Sequence, residues 1–190
     1  MADTFGTSTK NEVGWRRNGV AHGRFRLRAD DRDFGNAGPI RHVTFVFARE
    51  PVRITPAGVD PVVADSASIM LYNADQAYLR EHVNPRGGRS EWFAFEHGVL
   101  EMVMSSLGLR DDQRHRPFER SQVSCPSRLY KSQPRLSEDL RTGLVDDFEA
   151  EERVAEIVDA VFGAVQQHSG SKLRRSMRPS TVAAHHRLVQ

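Results

Sequence analysis

Between Ile40 and Phe47 the chain alternates: Val43, Phe45 and Phe47 share one face of an extended segment, and His42, Thr44 and Val46 share the other. The same period places Phe25 and Leu27 opposite Arg24, Arg26 and Arg28, and the polar run from Asp30 to Gly38 reads as a loop. Val52 and Ile54 continue the alternation beyond Pro51, a turn follows at Pro56 and Gly58, and Val62 and Val63 open another extended piece. Ile69 to Tyr72 is a continuous apolar run ended by Asn73, and Tyr78 to Arg80 resumes after it. Asn84, Pro85, Gly87 and Gly88 then turn the chain into Trp92 to Phe95. Short strands at this spacing predict a small barrel or sandwich.

After Gly98 the period lengthens. Val99, Leu100, Val103 and Leu107 recur at helical spacing up to Gly108, and Arg110 to Arg120 is nearly all polar, an exposed loop. The longest apolar stripe lies between Asp147 and His168, through Phe148, Val154, Ile157, Val158, Val161, Phe162 and Val165. Asp146 and Glu149 have the spacing of a capping box at its start. Leu136, Leu140 and Leu144 form a shorter stripe with Pro134 at its entry and Gly143 interrupting it, so the two stripes predict a helical hairpin. Residues 1–21 are largely without apolar periodicity and read as a flexible arm. Residues 169–179 have linker composition, and Pro179, Ser180 and Thr181 begin a new helical pattern that stops at Gln190.

Composition narrows the class without naming it. A chain of 190 residues with 38% hydrophobic content is enough for one domain with extensions. No window reaches the roughly 20 consecutive apolar residues of a membrane helix, and the first residues lack a signal-peptide core, so the expected compartment is the cytoplasm with no membrane partner. Cys125 is the single cysteine and reads as an inert small residue. The net charge of +2 hides an asymmetry: seven acids lie between Asp139 and Glu156, whereas Lys172, Arg174, Arg175, Arg178 and Arg187 follow without an acid among them.

The order of these parts resembles the AraC family of bacterial transcription regulators. Val62 to Asp65, Ile69 to Asn73, Tyr78, Arg80, Gly87 and Gly88 resemble the middle of that family's sensor barrel. Glu149, Glu151 and Glu152 leading into Val154 to Phe162 resemble the helix before its linker. The resemblance implies an α+β chain, a small cupin-like β-barrel (residues 22–108) followed by a helical hairpin within a dimerisation region (109–168). A linker (169–179) and the first helix (180–190) of a helix-turn-helix domain otherwise absent would complete it. It further implies a small-molecule effector, a homodimer, and DNA contact only through the missing domain. An uninterrupted helix is expected where Pro134 falls.

A sensor pocket needs apolar walls with a few polar groups. Phe45, Tyr72, Tyr78 and Trp92 are candidate walls and Arg80 a candidate for an anionic group, core filling being the competing role of each. Val154, Ile157, Val158, Val161 and Phe162 are the expected dimerisation residues. The histidine-x-histidine and downstream carboxylate pattern of metal-binding cupins is absent, since His22, His42, His82, His97, His115 and His168 stand alone and His185 and His186 are adjacent. Neither a nucleophile with its base nor a phosphate-cradling loop is legible, so no catalytic residue, metal or cofactor is expected and the chain reads as a non-enzyme. The competing function is a stand-alone cupin enzyme or metabolite-binding protein.

Overall fold

Ten strands and three helices follow one another in the computed structural model, which describes residues 11–31, 34–106 and 116–168. The readings of residues 1–10, the linker 169–179 and the segment 180–190 lie outside these. In one sheet β1 (Asn11–Arg17), β2 (Val20–Leu27), β9 (Gly88–Phe95), β4 (Val43–Ala48), β7 (Ser68–Tyr72) and β10 (Gln122–Ser124) lie side by side in that order. The other sheet runs β3 (Asn36–Ile40), β8 (Gln76–His82), β5 (Val52–Pro56), β6 (Val62–Ala64). All pairings are antiparallel.

The six-stranded sheet is covered on both faces, which explains why β4, β7 and β9 read as nearly continuous apolar runs. Its inner face meets the four-stranded sheet. Its outer face carries Phe45, Phe47, Ile69, Leu71, Phe93 and Phe95 and packs on the helices. The four-stranded sheet keeps its outer face wet, as the alternating burial of β5 and β8 and the exposure of Leu79 show.

Three helices complete the outer layer: α1 (His97–Ser106), α2 (Ser127–Thr142) and α3 (Asp147–His168). The Glu149 N–H donates to Asp146 Oδ1 at 2.8 Å, the forward half of the expected capping box, while the Glu149 carboxylate accepts from Arg153 instead of reaching back. Arg153 also donates to Asp139 at 2.7 Å, tying α3 to α2.

Four readings of the sequence are corrected. The first concerns residues 11–21, expected to be a loose arm, which form β1, a turn and the start of β2. Asn18 and Gly19 have φ of 48° and 73°, the two positive values of a tight hairpin turn, and an Asn-Gly pair between alternating segments is the signal for it. The turn is anchored: Arg17 pairs with Asp147 and Glu151, and the Asn18 amide donates to Glu151 at 2.7 Å.

The second correction is to the stripe Val154, Ile157, Val158, Val161 and Phe162. All five are at most 5% exposed and closed against the barrel of their own protomer, so they do not form a dimer contact. Phe162 sits edge-on to Phe45 with ring centroids 5.9 Å apart, and Phe118 lies 5.8 Å away. A helix stripe reads the same in sequence whether it covers a sheet of its own chain or a partner. Phe148 drops out of the stripe, being 61% exposed.

Third, α2 begins at Ser127 and runs through Pro134, which therefore lies inside the helix and not at its entry. Pro134 removes one helix hydrogen bond, but Leu129 before it and Leu136 and Leu140 after it are seated on the sheet and hold both halves in line. Gly143, left-handed at φ 66°, ends the helix, so Leu144 falls outside the stripe and is exposed. The fourth is β10, which lies beyond the expected barrel boundary yet extends the large sheet by pairing with β7. The polar segment before it is pinned where it is described: Asn73 exchanges two hydrogen bonds with the Phe118 backbone, at 2.9 and 3.0 Å.

Candidate functional site

Between the two sheets lies a cavity of about 530 Å³, within the range of small-molecule sites. Strand alternation decides what faces it. Thr44, Val46 and Ala48 of β4, Met70 and Tyr72 of β7, and Ser90, Trp92 and Ala94 of β9 come from the large sheet, and Val52, Ile54, Tyr78 and Arg80 come from the small one. The intervening residues of β4, β7 and β9 point to the helices. Of the five expected pocket residues, Tyr72, Tyr78, Arg80 and Trp92 meet here. Phe45 does not: its side chain is fully buried on the helical face. Alternation sets Phe45 opposite Thr44 and Val46, but with both faces buried the period does not say which meets the cavity, and Phe45 packs the helices.

Sequence reading also missed Phe25 and the segment 38–42, including the exposed Arg41, which complete the lining. Phe25 was assigned correctly to a strand, and only the pairing of β2 with β9 brings it to the cavity.

The polar groups of the cavity are unevenly charged. Arg80 and Arg41 line it, and among the described residues no Asp or Glu does. The Arg80 guanidinium lies 3.9 Å over the Phe25 ring and donates to the Tyr78 hydroxyl at 2.9 Å. Tyr72 packs against Tyr78 with centroids 5.0 Å apart and is 3% exposed. Burial pushes the Tyr72 hydroxyl far up, with Tyr78 adding and Arg80 opposing, so it remains a neutral O–H donor. That hydroxyl finds no hydrogen-bonding partner among the described residues.

Trp92 closes the wall beside β2. Its indole N–H donates to Asn11 Oδ1 at 2.8 Å and its ring lies on Gly23, where a Cβ would come within 2.3 Å of the indole. Only glycine leaves room for that approach.

The opposite face of the same strands holds a buried polar network under α2. Arg49 pairs with Glu91 and donates to Gln133, whose amide in turn donates to Glu91 at 3.0 Å and to Ser137 at 2.7 Å. Burial alone would raise the Glu91 carboxyl, but the Arg49 hydrogen bond and charge, with Gln133 and Ser137, outweigh it and hold the group below its usual range. His22 Nε2 lies 2.9 Å from Ser137 Oγ, and Nδ1 has no partner among the described residues. Burial pulls this imidazole down to about 4; the Glu91 carboxylate opposes the shift, and Arg24 and Arg49 add to it. His22 is therefore neutral at physiological pH. Among the described residues no cluster of three or more His, Cys, Asp or Glu has the arrangement of a metal site, and no helix is long and apolar enough to cross a membrane.

No family model and no curated protein matches this sequence. Solved structures do. ToxT from Vibrio cholerae superposes with a TM-score of 0.52 at 12% identity, over 90% of this chain and 72% of that one. ToxT bound to (E)-4-(8-methylnaphthalen-1-yl)but-3-enoic acid does so with a TM-score of 0.51 at 11% identity and the same coverage. The AraC-like transcriptional activator CuxR gives 0.44 at 13% identity, over 89% of this chain and 56% of that one. An RmlC-like cupin with a double-stranded β-helix fold from Methanocaldococcus jannaschii gives 0.38 at 11%, over 51% and 86%. At these identities the likeness is one of fold and rests on the ToxT structures: the chain is α+β, a β-barrel of two antiparallel sheets followed by a helical hairpin.

Proposed function

We propose that this chain is the effector-sensing part of an AraC-type transcription regulator, in which the barrel binds a small molecule and the helices pass the change to a DNA-binding domain. The observation that carries this reading is the cavity between the sheets, backed by strands whose other face seats α2 and α3. A ligand that favours one position of β4 and β9 over another thereby biases the helices, which is all a population shift requires. The complex of ToxT with a naphthalenyl butenoic acid supports small-molecule binding in a chain of this fold. The chain acts as a receptor and not as a catalyst. It works as a homodimer whose contact lies outside the buried stripe of α3.

The test is made on the intact gene product, tagged at its N-terminus in its own genome. Immunoprecipitated after crosslinking, it should enrich discrete promoter segments, and filling the cavity with Ala94→Trp should change their occupancy or the transcription that follows. Uniform recovery of DNA, with no discrete segments, overturns the proposal.

A further inference from the structure

Arg80 is a permanent cation, half-buried in a cavity wall, and no carboxylate among the described residues pairs with it. Its neighbours are the Phe25 face and the Tyr78 hydroxyl, which soften its desolvation without neutralising it. Next to it stands Tyr72, an O–H donor more than nine-tenths buried, lining the same cavity and lacking an acceptor among the described residues. A guanidinium without a carboxylate, a hydroxyl donor without an acceptor and a lining without acids, all among the described residues, are complementary to an anion and adverse to a cation. Arg41 adds a second guanidinium, exposed to solvent, while Val46, Ile54, Met70 and the Trp92 ring offer apolar contact area. Of these two guanidiniums only that of Arg80 is half-buried, so the wall matches a single negative charge, which suits a carboxylate better than a phosphate dianion.

We infer that the cavity takes an organic monocarboxylate with an apolar or aromatic body, its carboxylate on the Arg80 guanidinium and the Tyr72 hydroxyl and its body against Trp92, Met70 and Val46. This rests on the reading of the barrel as a ligand site and adds the chemical class. Arg80 and Tyr72 are then the specificity-determining pair, and Tyr78 positions the guanidinium through its hydroxyl.

The experiment is calorimetric titration of the purified chain with 2-naphthoate and with its neutral counterpart 2-naphthylmethanol. The carboxylate is expected to bind at least about tenfold more tightly than the alcohol, the yield of one charge-assisted pair. Arg80→Gln should remove that preference while leaving the alcohol's affinity unchanged, which also shows that the variant is folded. Tyr72→Phe, which keeps the ring, should weaken the carboxylate several-fold and not the alcohol. Binding of the alcohol as tightly as the carboxylate, or a carboxylate affinity that survives Arg80→Gln, overturns the anion and leaves the ligand site standing. Binding of neither probe overturns both.

Discussion

Phe162→Ala separates a helix packed on its own barrel from a helix waiting for a partner. The side chain is 2% exposed and is held by the rings of Phe45 and Phe118 at 5.9 and 5.8 Å. Truncation leaves a cavity in a two-sided core, and phenylalanine-to-alanine changes at such positions cost about 3–5 kcal/mol. With a urea dependence of about 2 kcal/mol per molar, the midpoint should fall by roughly 2 M. Thermal melting should fall by roughly 6–20 °C, scaling the same loss for a chain of this size. Far-ultraviolet circular dichroism in urea, repeated over a hundredfold range of protein concentration, reads both quantities. The difference between the wild-type and variant midpoints should not change with concentration. The reasoning is refuted by a loss below about 1 kcal/mol, or by a wild-type midpoint that rises with concentration while the variant is a stable monomer, because either places Phe162 between protomers.

Three further outcomes are expected. His22 binds its proton far less readily folded than unfolded, so stability is unaffected above pH 6.5 and falls as pH drops from 6.5 toward about 4. The loss is up to about 3 kcal/mol, and His22→Gln should flatten the pH dependence of urea unfolding over that window; parallel curves would count against a buried neutral imidazole. Arg49→Met strands the Glu91 carboxylate and should cost roughly 3 kcal/mol, whereas adding Glu91→Met should restore most of it. Additive losses in that double-mutant cycle would deny the coupling. Gly23→Ala brings a Cβ to 2.3 Å from the Trp92 ring and 2.4 Å from the Glu12 carbonyl. In a Trp15→Phe background it should shift Trp92 emission to the red and cost about 1–3 kcal/mol, and an unchanged spectrum with unchanged stability would contradict the close approach.

Period and run length were enough to reveal β2, β4 to β9 and the start of α3, because those signals are local, whereas β1 and most of β3 fall in segments that read as an arm and a loop. What sequence did not carry was the choice of face. Phe45 and Trp92 are both large aromatics in buried strands, yet one packs helices and the other lines the cavity, and only the register pairing Val46 with Trp92 and Phe45 with Phe93 separates them. The α3 stripe failed for the same reason, since its partner lies more than a hundred residues upstream. The β1 hairpin is different: Asn18–Gly19 was a local signal, obscured by the polar residues around it. The position at the cavity of Tyr72, Tyr78, Arg80 and Trp92, four of the five expected residues, was legible in the sequence. Tyr72's unsatisfied hydroxyl was not, because satisfaction is a property of neighbours.

The alternation across the large sheet has a consequence for how such a pocket can change. On β4, β7 and β9 the cavity receives the even-numbered residues, Thr44, Val46, Ala48, Met70, Tyr72, Ser90, Trp92 and Ala94, while the odd-numbered ones carry the helices. Ligand preference can therefore be rewritten at even positions by exchange of side chains, leaving the helical seat untouched. A one-residue insertion anywhere in these strands would instead present phenylalanines to the ligand and Thr44 or Ser90 to α3. Divergence of this barrel is open to substitution and closed to frame-shifting indels, and a library that seeks new ligands need vary only one parity.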